Sequence, residues 1–204
     1  MNPDGPSTGA ENDGGLVSLQ SLKYPSRMAR DFSRFLNAVE PQIHHFEDDG
    51  DIPNNPRLPL ICYPQVIVEE DRFSAPVLEE MFAANGWPDS WRNGVYPFPH
   101  YHAQAHEVLG CYGGRAKVRL GGMNGIVQEI RAGDVVILPA GVGHENLGAS
   151  ADFAVVGSYP EGQSPDMCRG GGRPEGVLEA IHRVPLPAAD PVLGGGGGTT
   201  NLWK

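Results

Sequence analysis

Three histidines and one glutamate in this chain of 204 residues have the types and the spacing of metal ligands. One residue separates His100 from His102, so in a β-strand both side chains leave the same face. Glu107 follows after a short bend, and His144 follows an aliphatic run that ends in Pro-Ala-Gly. Imidazole suits Zn, Cu, Fe and Ni, and a carboxylate adds affinity for harder ions such as Mn. We therefore expect one divalent transition metal ion, with Fe, Mn, Ni and Zn all acceptable.

These residues belong to two longer patterns. The first is a glycine, a His-x-His pair, a glutamate and a second glycine, at Gly94, His100, His102, Glu107 and Gly114. The second is a glycine, a Pro-x-Gly turn and a histidine, at Gly133, Pro139, Gly141 and His144. Together they resemble the two motifs of the cupin superfamily, although Gly148 stands where the second motif ends in asparagine. Within that superfamily the chain is similar to the uncharacterised YjlB-type cupins, in Trp91-Arg92-Asn93-Gly94, in Ala105-His106-Glu107-Val108-Leu109-Gly110 and in Tyr159-Pro160.

The resemblance implies an all-β fold, the cupin double-stranded β-helix or jelly-roll barrel, with short peripheral helices and irregular terminal extensions. The sequence pattern agrees, because short alternating runs separated by glycine-rich turns are typical of a β-sandwich or barrel. These runs cover residues 107–112, 116–120, 125–130, 134–138 and 153–159. We divide the chain into a disordered tail (1–15), an extension with helices and edge strands (16–90), the barrel core (91–160) and an extension that returns to the barrel (161–204).

Several elements outside the core are predicted from periodicity. Residues 60–63 indicate a strand that continues after Pro64 through residues 65–68, and Ser74 is expected to begin an amphipathic helix that Asn85-Gly86 ends. Residues 26–39 indicate a short helix or an irregular arm, and residues 177–184 a strand that returns to the sheet. Trp203 is unusual in a terminal tail, and we expect it to dock.

His106 and Glu107 compete for one position, because adjacent strand residues point to opposite faces. The motif spacing favours Glu107 as the inward residue. His106 is then expected on the outer surface or at a subunit contact, with a role as ligand or substrate contact as the alternative. In the Pro-x-Gly turn, Gly141 is expected to supply a positive φ or a close backbone approach that aims His144 inward.

Four further residues are candidates for contact with a substrate. Alternation sends Tyr96 and Phe98 to the face of His100. The Tyr96 hydroxyl is thus a candidate catalytic group beside Glu107, with plain barrel packing as the alternative. Gln104 is a candidate rim contact, and Arg119 shares a strand face with Lys117, which allows an inward-facing pair that binds an anion.

Composition narrows the class of protein. The net charge of −10 and the lack of a basic stripe argue against a nucleic-acid partner. No apolar run approaches the ~20 residues needed to span a bilayer. Three widely spaced cysteines indicate free thiols in a reducing compartment, and the acidic, glycine-rich amino terminus is not a signal peptide. We expect a cytoplasmic protein.

The resemblance implies a metal-dependent enzyme that acts on a small organic molecule. A mononuclear centre of three histidines and Glu107 would leave an octahedral ion two open positions, and Glu107 could relay a proton if it detaches. Oxidoreduction of the dioxygenase type comes first, because a histidine-rich set suits Fe(II). The alternatives are an isomerase or epimerase, a non-catalytic metal- and small-molecule-binding protein, and an interaction protein. A homodimer is also expected, with an amino-terminal strand that covers its own barrel edge or a neighbour's.

Overall fold

The computed structural model describes residues 31–68 and 74–204. The prediction for residues 1–15, and that for the first part of the arm at 26–39, lie outside the described residues; the rest of the arm contains a 3₁₀ turn at Ser33–Phe35. The strands of the described chain, in chain order, are β1 (Gln42–His44), β2 (Leu60–Tyr63), β3 (Trp91–Asn93), β4 (His100–Tyr101), β5 (Glu107–Gly113), β6 (Arg115–Leu120), β7 (Ile126–Arg131), β8 (Val135–Leu138), β9 (His144–Ala149), β10 (Ala154–Ser158) and β11 (Cys168–Arg169). The helices are α1 (Ala75–Ala84), α2 (Val177–Arg183) and α3 (Gly198–Leu202).

The strands form two antiparallel sheets that enclose an apolar interior. One sheet has the order β1-β2-β8-β5-β10-β3, and the other has the order β11-β4-β9-β6-β7. Alternation places Leu109 on β5, Val118 on β6 and Val136 on β8 in the same interior cluster. The predicted all-β jelly roll is confirmed, and the five predicted alternating runs coincide with β5, β6, β7, β8 and β10 to within one or two residues.

The extension before the barrel core supplies strands to this chain's own sheet. β2 pairs antiparallel with β8, with Ile61 opposite Ile137, and β1 pairs with β2. The predicted continuation of the strand through residues 65–68 is wrong. Gln65 has a φ of +50°, and beyond it Ile67 forms only an isolated bridge with Leu36. The turn is fixed because the Gln65 N–H donates to the Asp134 carboxylate at 2.8 Å.

Helix α1 follows Ser74 and ends at Asn85 and Gly86, as predicted, although the Ser74 hydroxyl makes no capping hydrogen bond. Its apolar stripe includes Leu78 and Phe82, which pack with Val108 and Val156. These two strand residues alternate with Leu109 and Val155 of the interior cluster, so α1 covers the outer face of the six-stranded sheet.

The carboxyl-terminal extension corrects one prediction and confirms another. Residues 177–183 form helix α2 and not a strand, because Val177 and Ile181 are buried at helical spacing while Leu178 is exposed. Trp203 docks as expected: it is 3% exposed, and its Nε1–H donates to the Pro59 carbonyl at 2.9 Å. Among the described residues, no helix has both the length and the apolar character needed to cross a membrane.

Candidate metal centre

The two motifs meet because the strands that carry them pair. His100 on β4 is the register partner of His144 on β9, and His102 follows β4 directly. Glu107 begins β5 of the other sheet. The candidate ligand atoms of the three histidines all lie within 4.8 Å of one another, and the side chains are buried. The structure therefore brings the four predicted ligands together.

Backbone carbonyls orient the three imidazoles. Nδ1 lies 3.0 Å from the Phe98 carbonyl in His100 and 3.3 Å from the Val142 carbonyl in His144. In His102 it meets the carbonyl of Asp166. Because a carbonyl oxygen only accepts hydrogen bonds, each Nδ1 donates its proton, so the neutral form of each ring has its lone pair on Nε2. This is the tautomer that a metal ligand needs.

Glu107 places an unsatisfied carboxylate oxygen beside these rings. Its Oε2 lies 3.5 Å from His102 Nε2 and 3.2 Å from His144 Nε2, and it accepts no hydrogen bond. The residue is only 2% exposed, so water does not solvate the charge. A buried carboxylate oxygen without a hydrogen-bond donor is costly unless a cation lies next to it. The donor set of three imidazoles and one carboxylate fits a divalent transition metal ion.

The electrostatics of the centre also favour a cation. Burial alone would lower the pKa of His102, but the Glu107 carboxylate raises that pKa to about 9. Burial opposes ionisation of Glu107, yet the His102 charge holds the pKa of that carboxyl well below its usual range. Burial and the neighbouring His144 lower the pKa of His100 to about 3, so this ring stays neutral. Glu107 is thus charged, and a proton or a metal ion balances it.

A second hydrogen-bond chain fixes the other oxygen of Glu107. The Tyr159 hydroxyl donates to Glu107 Oε1 at 2.9 Å and accepts from the Trp91 Nε1–H at 3.0 Å. Burial and the nearby Glu107 charge raise the pKa of Tyr159 far above its usual range, so the phenol keeps its proton as a donor. Oε1 is engaged and Oε2 alone faces the histidines.

The Pro-x-Gly turn joins the two motifs directly. The Gly141 N–H donates to the His102 carbonyl at 2.8 Å. Gly141 has a φ of +92°, and a β-carbon there would lie 2.4 Å from the Asn54 carbonyl oxygen. Both the positive φ and the close approach that the sequence indicated are present, so only glycine fits without strain.

His106 lies in neither of the places expected for it. It is fully buried, and its Nδ1 accepts the Ala140 N–H at 2.9 Å. Its ring centroid lies 4.6 Å from that of Trp203. The expected outer surface or subunit contact is wrong because the carboxyl-terminal extension covers this face of β5. His106 is a packed residue that ties the Pro-x-Gly turn to β5, while Glu107 points inward.

A cavity of about 350 Å³ opens at the three histidines. An apolar and aromatic wall surrounds much of it, formed by Trp91, Val95, Tyr96, Leu109, Tyr159 and Met167. Arg92, Asn93 and Asp166 also line it. A space of this size fits a small organic molecule.

Tyr96 and Phe98 lie beside the His100 ring, as predicted, but neither is buried in the interior. Residues 94–99 are not a strand, so alternation does not apply, and Tyr96 is 46% exposed and not interior. Its ring meets His100 edge-on with centroids 5.4 Å apart, and it lines the cavity. Phe98 stacks on Tyr96 at 5.0 Å and lies under the Arg169 guanidinium, outside the residues that line the cavity.

Gln104 and Arg119 also lie outside the cavity lining. Gln104 is exposed, and its backbone N–H donates to Asp166. The inward-facing basic pair is wrong: Lys117 is exposed, and Arg119 Nη1 forms an ion pair with Glu145 at 2.9 Å. The reason is that Ala116, Val118 and Leu120 take the interior face of β6.

Tyr159 and Trp91 are the site residues that sequence reasoning missed. The alternation of β10 could have predicted Tyr159, because Val155 is interior and Tyr159 follows four residues later on the same face. Gly157 lies between them, and a β-carbon there would come 2.1 Å from the Trp91 ring. The glycine therefore marks the place where the indole crosses the strand.

Known proteins match the barrel core of this chain and, in one relative, most of its length. The model of the Cupin family matches residues 90–161. The chain is 37% identical over 167 residues to the uncharacterized protein YjlB of Bacillus subtilis (strain 168), covering 80% of this chain and 97% of that protein. Pumpkin seed globulin aligns at 22% identity with a TM-score of 0.33, over 47% of this chain. The chain spans only 28% of that globulin's length. The Legionella pneumophila Philadelphia 1 dTDP-6-deoxy-D-glucose-3,5-epimerase RmlC aligns at 13% identity with a TM-score of 0.33, over 59% of this chain and 72% of that one.

Proposed function

The chain belongs to the cupin superfamily, and we propose that it is a metal-dependent oxidoreductase of the dioxygenase type that acts on a small organic molecule. The ion would be held by His100, His102, His144 and Glu107. The observation that carries this proposal is Glu107 Oε2, a buried carboxylate oxygen without a hydrogen-bond donor between the Nε2 atoms of two histidines. A protein that kept these residues for packing alone would gain nothing from an unsatisfied buried charge.

Each group of the chain has a definite role in this proposal. A bound Fe(II) or similar ion would supply redox or Lewis-acid chemistry at the positions that the protein leaves open. The three imidazoles donate neutral nitrogens, and Glu107 balances charge. The Tyr159 hydroxyl engages Glu107 Oε1, so Oε2 is the oxygen that would hold the ion, and the apolar wall would exclude water around a substrate. Oxidoreduction ranks ahead of isomerisation because three imidazoles suit iron.

Metal content tests the ligand set. Protein purified without chelator or nickel resin should carry about one transition metal ion per chain, which elemental analysis measures. His102→Ala should lose most of it and should melt at a lower temperature, because metal binding to the folded state adds to stability. His182→Ala is the control, since His182 is an exposed histidine on α2. Equal metal in His102→Ala and the unaltered protein would refute the assignment.

Turnover separates the candidate reactions. Protein loaded with Fe(II) is incubated with a set of small organic molecules, and dioxygen uptake and products are followed, with His102→Ala as the blank. Metal-dependent dioxygen uptake supports the oxidoreductase. A product that is an isomer of the substrate, formed without dioxygen uptake, would show that the protein is an isomerase. Saturable binding without any product would show that it is a binding protein.

We also propose that the protein is a cytoplasmic homodimer. β1 is a terminal strand of the six-stranded sheet, and Ile43 on it is 36% exposed. Such an edge is suited to pairing with a second copy. Because β1 and β2 already pair within this chain's own sheet, no exchange of the amino-terminal extension is needed. Light scattering over a wide dilution range tests the proposal, and a stable monomer mass would exclude the dimer.

A further inference from the structure

One ion pair sets the charge of the cavity wall. Of the described residues that line the cavity, Arg92 is the sole arginine or lysine. Its Nε and Nη2 donate to the two carboxylate oxygens of Glu79 at 2.6 and 2.7 Å. Glu79 lies on α1, outside the residues that line the cavity. The Nε–Nη2 edge of the guanidinium, which could have bound a carboxylate of a substrate at two points, is therefore already occupied by Glu79.

The remaining charged wall residue is an acid. Asp166 Oδ1 accepts the N–H groups of Ala103 and Gln104, which holds the carboxylate in place beside His102. The Glu107 and Asp166 carboxylates would together balance the two charges of a divalent ion held at the centre, so no net positive charge would remain. A negative group on the part of a substrate remote from the metal would meet the Asp166 carboxylate and an arginine whose charge Glu79 already balances, and burying a charge without its own partner is costly.

The rest of the wall suits an uncharged group. Trp91 and Tyr159 are joined by their own hydrogen bond, so these rings present carbon surface to the cavity. Val95, Leu109 and Met167 add aliphatic surface. Apolar surface of this kind favours a ligand body that gains from leaving water.

We infer that the site takes a small molecule with a metal-binding group and an uncharged, largely apolar body, and that Glu79 sets this preference by pairing Arg92. The inference rests on the proposed function, since it presupposes an ion with open positions at the histidines. It assigns a role in specificity to a helix residue that does not line the cavity.

Three hydroxamates with one shared metal-binding group test the preference. The protein is loaded with Co(II), whose visible spectrum reports ligand binding, and is titrated with acetohydroxamate, benzohydroxamate and 4-carboxybenzohydroxamate at low ionic strength. Benzohydroxamate should bind at least about tenfold more tightly than acetohydroxamate because its ring is buried. The carboxylated analogue should bind about tenfold more weakly than benzohydroxamate because its charge is unpaired.

The Glu79→Gln variant tests the mechanism. It should free Arg92 and tighten binding of 4-carboxybenzohydroxamate by about threefold or more, an effect of the size expected for a partly exposed ion pair. Benzohydroxamate affinity should not change, which also shows that the variant is folded. Glu129→Gln is the matched control, because Glu129 is an exposed glutamate on β7.

Two results would overturn the inference. One is that the carboxylated probe binds the unaltered protein as tightly as benzohydroxamate does. The other is that Glu79→Gln leaves the ratio of the two affinities unchanged. If none of the three hydroxamates alters the Co(II) spectrum, the proposed function itself fails, and the inference falls with it.

Discussion

Two buried carboxylates in this protein have opposite surroundings. Asp190 is fully buried, and Glu107 is nearly so. Asp190 Oδ1 accepts the N–H groups of Val192 and Leu193, both at 3.0 Å. Its Oδ2 accepts the Tyr63 hydroxyl at 2.9 Å and the Thr199 N–H at 3.1 Å. Protein donors satisfy both of its oxygens.

The Thr199 hydroxyl also donates to Asp190 Oδ2 at 3.5 Å, so Asp190 has five donors where Glu107 has one. Tyr159 satisfies Oε1, and Oε2 is left against two histidine nitrogens. The fold can supply donors to both oxygens of a buried carboxylate, as it does at Asp190. The lack of a donor at Glu107 Oε2 is therefore specific to the candidate metal centre. Asp190 therefore holds the carboxyl-terminal extension together, while the open oxygen of Glu107 is suited to bind a cation that the chain does not supply.

Removing Asp190 should have the largest effect. Asp190→Ala leaves five donors, most of them buried, without an acceptor, so the free energy of unfolding should fall by about 3–4 kcal/mol. Urea denaturation measures it, and the metal content of the folded fraction should not change. Asp89→Ala, at an exposed acid, is the control and should change stability little. A loss of metal without a loss of stability would reverse the roles given to the two acids.

The Glu107→Gln variant should have the converse result. It keeps the size of the side chain and removes its charge, so metal affinity should fall about 100-fold, or about 2.7 kcal/mol, as expected when a charged ligand is lost. The measurement is competition with a metal indicator, together with the melting temperature with and without added metal. Glu161→Gln, at an exposed site, should behave as the unaltered protein does. If Glu107→Gln bound metal normally, Glu107 would not be a ligand.

The Tyr159→Phe variant should have the smallest effect. It removes the donor to Glu107 Oε1 and frees the carboxylate to turn, so metal affinity should fall about tenfold, in the range found for residues that orient a ligand. The spectrum of the Co(II)-loaded variant should also change, which a purely structural role would not cause. Tyr112→Phe is the control, since Tyr112 is a half-buried tyrosine that packs against α1's cluster away from the cavity. An unchanged affinity and spectrum would show that Tyr159 does not position Glu107.

Local pattern was enough to locate the barrel strands, and the resemblance to the cupin motifs singled out the candidate ligands. Alternation and glycine turns located β5 to β8 and β10, and motif spacing selected His100, His102, Glu107 and His144 over His106. These features depend on neighbours a few residues away, which is the range over which strand period and turn chemistry act. Alternation did not predict how exposed Tyr96 and Phe98 are, because it holds only where the chain is a strand.

The surroundings of the candidate ligands depended on distant parts of the chain. The Tyr159–Glu107 bond joins residues 52 positions apart, Trp91 reaches Tyr159 across 68, and Tyr63 reaches Asp190 across 127. The sequence alone determined which residues could bind a metal ion and which face of each strand they leave. Only the tertiary structure decided that Glu107 keeps one oxygen free, that Glu79 pairs with Arg92 and that Trp203 covers His106. No local period encodes such contacts, because they exist only once separate elements have packed together.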